Sequence, residues 1–284
     1  MGLRQTGGSV VCRSCSLLVG VNDATCYHCG SPYPGLWGFG PALRRLGSDL
    51  GFTNIVMATC GLLYLIALAL DPGAIGGGEA GIFRMLSPSG PATELLGASG
   101  AVPVFRYGRW WTVLSAGCLH GSLLHIAFNL MWIRQLAPVT AEIYGPGRTI
   151  LIYTASSVVG FSLSSLAGLL GGIPLLGGAD HTVGASAAIF GLLGALIYSG
   201  RRGVASQISR QAQTYAIILF LFGLFFPGID NTAHLGGFVG GFAIAAFLNP
   251  LLPERLNHLA AAGVCLVLTA GAIVLSFVTG VGDV

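Results

Sequence analysis

Lysine is absent from this chain of 284 residues, and charge of either sign is scarce: thirteen arginines and ten acidic residues amount to 8% of it. A soluble domain carries about 25% charged residues, so there is too little charge here to cover a water-facing surface. The net charge of +3 is too small an excess to mark a nucleic-acid partner. The opening residues lack the basic-then-apolar build of a signal peptide, and no long repeat recurs at a fixed period. No charged residue falls well inside an apolar run, which argues against a small-solute transporter with an intramembrane ion path. What is abundant is apolar: 54% hydrophobic residues and a mean hydropathy of +0.79. Glycine, at 45 residues, is roughly twice its usual share of about 7%, and small residues let membrane helices approach closely. An all-α polytopic membrane protein is expected, with the lipid bilayer as its first partner.

Residues 1–35 are the polar exception. Cys12-x-x-Cys15 and Cys26-x-x-Cys29 can each place two thiolates on one ion, and together they complete a closed tetrahedral structural site. A segment this small has no core of its own, so metal binding would supply most of its folding energy. Two disulfides are the alternative and need an oxidising compartment. The cytosolic placement argued below favours zinc. The module resembles a zinc ribbon, with His28 a bystander. Cys60, Cys118 and Cys265 lie in or beside apolar runs and read as small packing residues.

Residues 36–51 form a linker to a membrane domain over 52–284. The first expected span, Phe52–Leu70, is long enough to cross a bilayer core of about 30 Å. A segment reaching to about Gly117 follows, with Trp110 and Trp111 beside Arg109, and is expected to lie at the interface rather than cross it. Further spans are expected near 119–137, 149–170, 184–199, 212–226, 231–248 and 259–280. The serines of the 149–170 run are read as helix or interhelix hydrogen-bonders with no chemistry of their own. With a cytosolic N-terminus, ten arginines fall inside (4, 13, 44, 45, 134, 148, 201, 202, 210 and 255) and three outside (84, 106 and 109). That asymmetry follows the positive-inside rule and puts the C-terminus outside.

The same topology starts the helices of Ser186 and His234 at one depth, near the outer face. Ala187, Gly191 and Ala195 make one small-residue stripe, and Gly237, Gly241 and Ala245 another. Facing stripes would let the two helices pack closely and bring the imidazole to the hydroxyl. A serine needs a neighbouring base to become a nucleophile, and acyl transfer needs donors aimed at the developing oxyanion. His125 and Asn129, four residues apart on one helical face, offer such donors, as do the free N–H groups around Ala185 and Ser186 at a helix start. No carboxylate is placed to orient His234, since Asp230 sits at the loop edge, so a Ser–His dyad is expected.

With these residues in view, the chain resembles the rhomboid intramembrane serine proteases from about residue 50 to 280. His120-x4-His125-x3-Asn129, Gly184-Ala-Ser186 and Ala233-His234-Leu-Gly236-Gly237 look like that family's motifs. The resemblance implies a six-helix core plus a seventh C-terminal helix, Ser186 as nucleophile and His234 as base. His125 and Asn129 would serve the oxyanion, His120 would be mainly structural, and Phe190 would pack on the catalytic ring. It also implies single-span membrane-protein substrates, no catalytic cofactor, and a bacterial plasma membrane as the setting. The alternative is an inactive relative that binds membrane clients. Two positions depart from the family pattern. Ala187 replaces a glycine, and its methyl is expected to crowd the tight approach or shift the oxyanion site; Thr112 replaces an arginine, a change expected to loosen the interfacial loop without touching the chemistry.

Overall fold

The computed structural model describes residues 4–12, 14–15, 17–40, 46–73, 85–226 and 228–281. Arg13, Arg44, Arg45 and Arg84 of the orientation argument lie outside the described residues. In the N-terminal segment, strands β1 (Ser9–Val11) and β2 (Leu18–Gly20) pair antiparallel, with Val10 opposite Val19. Val10, Val19 and Val21 share a small buried cluster with Cys12 and Cys26. The turn Leu36–Gly38 folds back on it: the Gln5 N–H donates to Gly38 O at 2.8 Å, and Arg4 Nε donates to Trp37 O at 2.9 Å.

Among the described residues beyond this segment, the α-helices are α1 (Phe52–Leu70), α2 (Gly90–Leu95), α3 (Thr112–Ser115), α4 (Leu123–Tyr144), α5 (Pro146–Leu169), α6 (Ser186–Arg201), α7 (Ser206–Phe225), α8 (Asn231–Phe247) and α9 (Leu256–Val281). Lipid offers no hydrogen bonds, so an apolar run must satisfy its backbone internally as helix. Four helices, α1, α5, α7 and α9, are long and apolar enough to cross a membrane. The α3 segment with α4 makes a fifth, bent by 94°. The shorter α6 and α8 bring the long helices among the described residues to seven, and the protein is a multi-pass membrane protein.

The bend corrects the expected second span. The chain leaves a short turn at Ala116–Cys118, is extended at Leu119, and re-enters helix only after Ser122, whose hydroxyl accepts from the His125 N–H. His120 therefore lies in the break before the helix rather than on it. At the other end α4 runs through Pro138 to Tyr144 instead of stopping at 137, because membrane helices tolerate a proline whose freed groups are met locally. Helix α7 likewise starts six residues before the expected 212, in the polar stretch Ser206–Gln211, which hydropathy alone cannot assign.

Helix α8 is wedged between α5 and α6 without intervening side chains. Added methyls would collide with Ala187 O at Gly237, with Gly191 at Gly241, and with Gly160 Cα at Gly236. The two small-residue stripes thus face each other at backbone contact. The seventh long helix, α9, is tied to this core at both ends. Near its start, Arg148 of α5 donates to Leu252 O at 2.8 Å, to Pro253 O at 2.7 Å and to His258 Nδ1 at 3.2 Å. Near its end, Ser276 O accepts from Arg109 Nη2 at 2.7 Å, and Ser276 Oγ accepts from Trp111 Nε1 at 3.0 Å.

That second anchor bears on the loosening expected at Thr112. Trp110 is exposed, as an interfacial ring should be, but Arg109 and Thr112 are buried. Thr112 Oγ1 donates to Arg109 O at 2.8 Å and lies 3.3 Å from Ser99 Oγ. The threonine therefore knits the segment together where loosening was expected.

Candidate active site

Residues 182–185 lead into α6 as a largely buried segment, tied to Ser99 by an isolated bridge at Thr182. Ser99 and Thr182 exchange backbone bonds at 3.0 and 2.7 Å, and the Gly184 N–H donates to Ala116 O at 3.0 Å. Gly184 has φ +132°, a conformation open only to glycine, and turns the chain so that Ser186 opens the helix.

Close contact of α6 with α8 brings Ser186 Oγ to 2.8 Å from His234 Nε2. On the other side of the ring, Nδ1 lies 3.1 Å from Asn231 Oδ1. A carboxamide oxygen can only accept, which assigns the ring proton to Nδ1 and leaves Nε2 free to take a proton from the serine. Phe190 stacks on the imidazole, centroid to centroid 4.4 Å with planes 17° apart. An apolar cavity of about 260 Å³, lined by Phe190, Ile217, Phe220, Leu221 and Phe238, opens beside His234.

Asn231 is the site residue that sequence reasoning missed, because an asparagine at a helix start reads as a cap. The cap is its neighbour. Asp230 accepts from the Ala233 N–H at 2.9 Å and from Ser164 Oγ at 2.6 Å, so its carboxylate faces α5 and its own helix end, away from the imidazole.

His125 stands across Gly184 from the serine. Its Nδ1 accepts from the Gly121 N–H at 3.2 Å, which puts the ring proton on Nε2. A methyl added at Gly184 would meet His125 Nε2 at 2.6 Å and Ser186 Oγ at 3.7 Å. The ring N–H and the hydroxyl therefore border the same small space. Asn129 is held on its own helix, one carboxamide N–H donating to His125 O at 2.8 Å. Its Oδ1 is buried without a protein partner. His120 is buried with both ring nitrogens unpartnered and meets His125 edge to face at 5.1 Å.

The Ala187 methyl does not crowd this arrangement. It points at Gly160 on α5, where an added Cβ would come within 2.8 Å of it. The space opposite is left by a second glycine.

The N-terminal cysteines form a separate centre. The sulfurs of Cys12, Cys15, Cys26 and Cys29 all lie within 4.8 Å of one another, with Cys12–Cys29 at 3.8 Å and Cys15–Cys26 at 3.7 Å. Zinc held by thiolates at about 2.3 Å has tetrahedral S···S edges of about 3.8 Å, so the four residues fit a metal ion. All four are free thiols. For Cys26, desolvation pushes the thiol up, but the N–H groups of Cys29 and His28 and the thiols of Cys29 and Cys12 bring it down to about 7. The Ser31 backbone favours the Cys29 thiolate, yet desolvation and the three other cysteines push that thiol up to about 12.

The family model for the rhomboid domain matches residues 107–250. The chain is similar to the rhomboid protease GluP of Bacillus subtilis, 36% identical over 174 residues, which are 59% of this chain and 32% of that one. It is similar to the putative rhomboid protease YdcA of the same organism, 30% identical over 142 residues, 49% of this chain and 67% of that one. It is also similar to the inactive RHOMBOID-like protein 8 of Arabidopsis thaliana, 30% identical over 160 residues, 55% of this chain and 43% of that one. The chain thus spans only about a third of the length of GluP.

Proposed function

The chain belongs to the rhomboid family, and we propose that it is an intramembrane serine protease working through Ser186 and His234. The observation that carries this reading is the 2.8 Å separation of Ser186 Oγ from His234 Nε2. It is reinforced by the Asn231 carboxamide, which leaves that nitrogen unprotonated.

In the proposed reaction His234 Nε2 takes the hydroxyl proton as Oγ bonds to a substrate carbonyl carbon. The carbonyl oxygen becomes an oxyanion, held by His125 Nε2–H, by the free N–H groups at the start of α6, and by the second N–H of Asn129. As the tetrahedral species collapses, the C–N bond breaks and His234 returns the proton to the leaving amine. Water, deprotonated by His234, then attacks the acyl ester, and Ser186 regains its proton. Substrates would be single-span membrane proteins whose helices unwind near the cut, because a helical backbone hides its carbonyls. The setting would be a bacterial plasma membrane, with the N-terminus cytoplasmic, the C-terminus outside and the site near the outer face. Zinc on Cys12, Cys15, Cys26 and Cys29 would be structural and take no part in the reaction.

A fluorophosphonate probe on the full chain in lipid tests this. Labelling of the wild type that is lost in Ser186→Ala and in His234→Ala supports the protease. Absence of labelling with membrane-protein clients still bound would mean that the chain is an inactive binder; one relative is named as inactive.

A further inference from the structure

The seventh long helix, α9, makes no direct hydrogen bond to Ser186 or His234, yet a chain of largely buried hydrogen bonds connects it to the segment that leads into the nucleophile. It starts at Ser276, whose carbonyl takes the Arg109 guanidinium and whose hydroxyl takes the Trp111 indole N–H. Arg109 also donates to Glu94 O at 3.2 Å, tying α2 in. The Arg109 carbonyl accepts from both the Thr112 N–H at 3.1 Å and its hydroxyl at 2.8 Å. Thr112 Oγ1 then meets Ser99 Oγ, and Ser99 exchanges backbone bonds with Thr182, four residues before Ser186. A second branch runs down the helical turn that Thr112 begins. Ser115 Oγ donates to Gly97 O at 2.8 Å, and Ala116 O takes the Gly184 N–H.

The side chains in this chain are not surface ornament. Ser99, Thr112, Ser115 and Ser276 are fully buried, and Arg109 and Thr182 nearly so. An unpaired polar group buried this way is costly, so each bond constrains the next. Gly97 sits at φ +107°, with Ser115 and Ser276 side chains filling the space a methyl would need. The junction of α9 with the interfacial segment therefore has one tight register.

We propose that α9 is a positioning element for the nucleophile, acting from Ser276 through Arg109, Trp111, Thr112 and Ser99 on the backbone of residues 182–186. This deepens the protease reading and rests on it. Arg109 and Thr112 are the positioning residues, and neither is placed to touch substrate. Since misplacing a reacting group by about 1 Å can cost roughly a hundredfold in rate, the effect belongs in the chemical step rather than in binding.

The test measures fluorophosphonate inactivation of the full chain in lipid, separating the maximal rate from the half-saturating probe concentration, alongside thermal midpoints. Thr112→Val, which keeps the shape and removes the hydroxyl, is expected to lower the maximal rate about tenfold with half-saturation unchanged. Thr112→Ser restores the hydroxyl and is expected to recover most of that loss. Ser276→Ala, which removes the Trp111 acceptor alone, is expected to give a smaller loss that does not add to that of Thr112→Val. Wild-type rates in Thr112→Val and Ser276→Ala would overturn the proposal. So would a loss that Thr112→Ser does not relieve and that tracks the fall in thermal midpoint. A wild-type chain that never labels would instead overturn the protease reading on which the proposal stands.

Discussion

Nδ1–H of His234 donates to Oδ1 of Asn231 across 3.1 Å, one helical turn earlier on the same helix. Gly223 of α7 leaves no room on the far side, since a methyl there would collide with that same oxygen. The carboxamide is thus held between two helices and fixes the ring tautomer. Asn231→Ala is expected to slow acylation of Ser186 by up to roughly tenfold, the scale of one net hydrogen bond. Asn231→Asp keeps an acceptor at that place and is expected to retain more activity than Asn231→Ala. Single-turnover kinetics on both variants check this, and equal rates would show that the amide does not orient the base.

His125 presents Nε2–H to the space bordered by Ser186 Oγ. Removal of one oxyanion donor costs on the order of a hundred- to a thousandfold in kcat. His125→Ala is expected to show a loss of that size with KM little changed, measured on a transmembrane substrate in lipid. A KM effect alone would place His125 in substrate binding instead.

Ala187 and Gly160 share one volume. Gly160→Ala puts two methyls where one fits and is expected to destabilise by about 1–3 kcal/mol through overpacking. Ala187→Gly empties the space and is expected to cost about 1 kcal/mol or less. Combining the two removes the methyl–methyl contact but leaves the new Cβ 2.6 Å from Ala233 O, so the double variant should recover only part of the Gly160→Ala loss. Thermal midpoints of the four chains settle this; simple additivity would mean the two positions do not share the space.

Metal analysis should find one zinc per chain, lost in Cys12→Ser. Ligand thiols must be deprotonated to bind, so affinity is expected to fall as pH falls, and a chelator to release the ion more readily in acid. Released of its metal, the N-terminal segment keeps a short strand pair and the small Val10–Val19–Val21 cluster among its described residues, and limited proteolysis should then cut within it. The helices from α1 onward should stay intact, as checked by the size of the protected fragment.

Much of this was legible in the sequence for identifiable reasons. Long uncharged runs mark membrane helices because lipid leaves the backbone no alternative, and the runs around 52–70 and 149–170 are nearly the observed α1 and α5. The glycine stripes of α6 and α8 carried the contact between Ser186 and His234, since only small residues permit backbone approach. The bend at 119–122 was not legible, because apolar composition continues through it and Ser122 looks like any serine. The burial of Arg109 was not legible for a related reason. An arginine beside two tryptophans reads as an interfacial anchor, and only the partner 167 residues away, Ser276, shows why it is buried. Asn231 was hidden by its position at a helix start, where its side chain has an ordinary use.

Helix α6 is 16 residues long, about 24 Å at 1.5 Å per residue, while a bilayer core is about 30 Å thick. Nearly every residue from Ala187 to Ile197 is shielded by neighbouring helices, so its shortness meets no acyl chain and imposes no thinning on the surrounding leaflet.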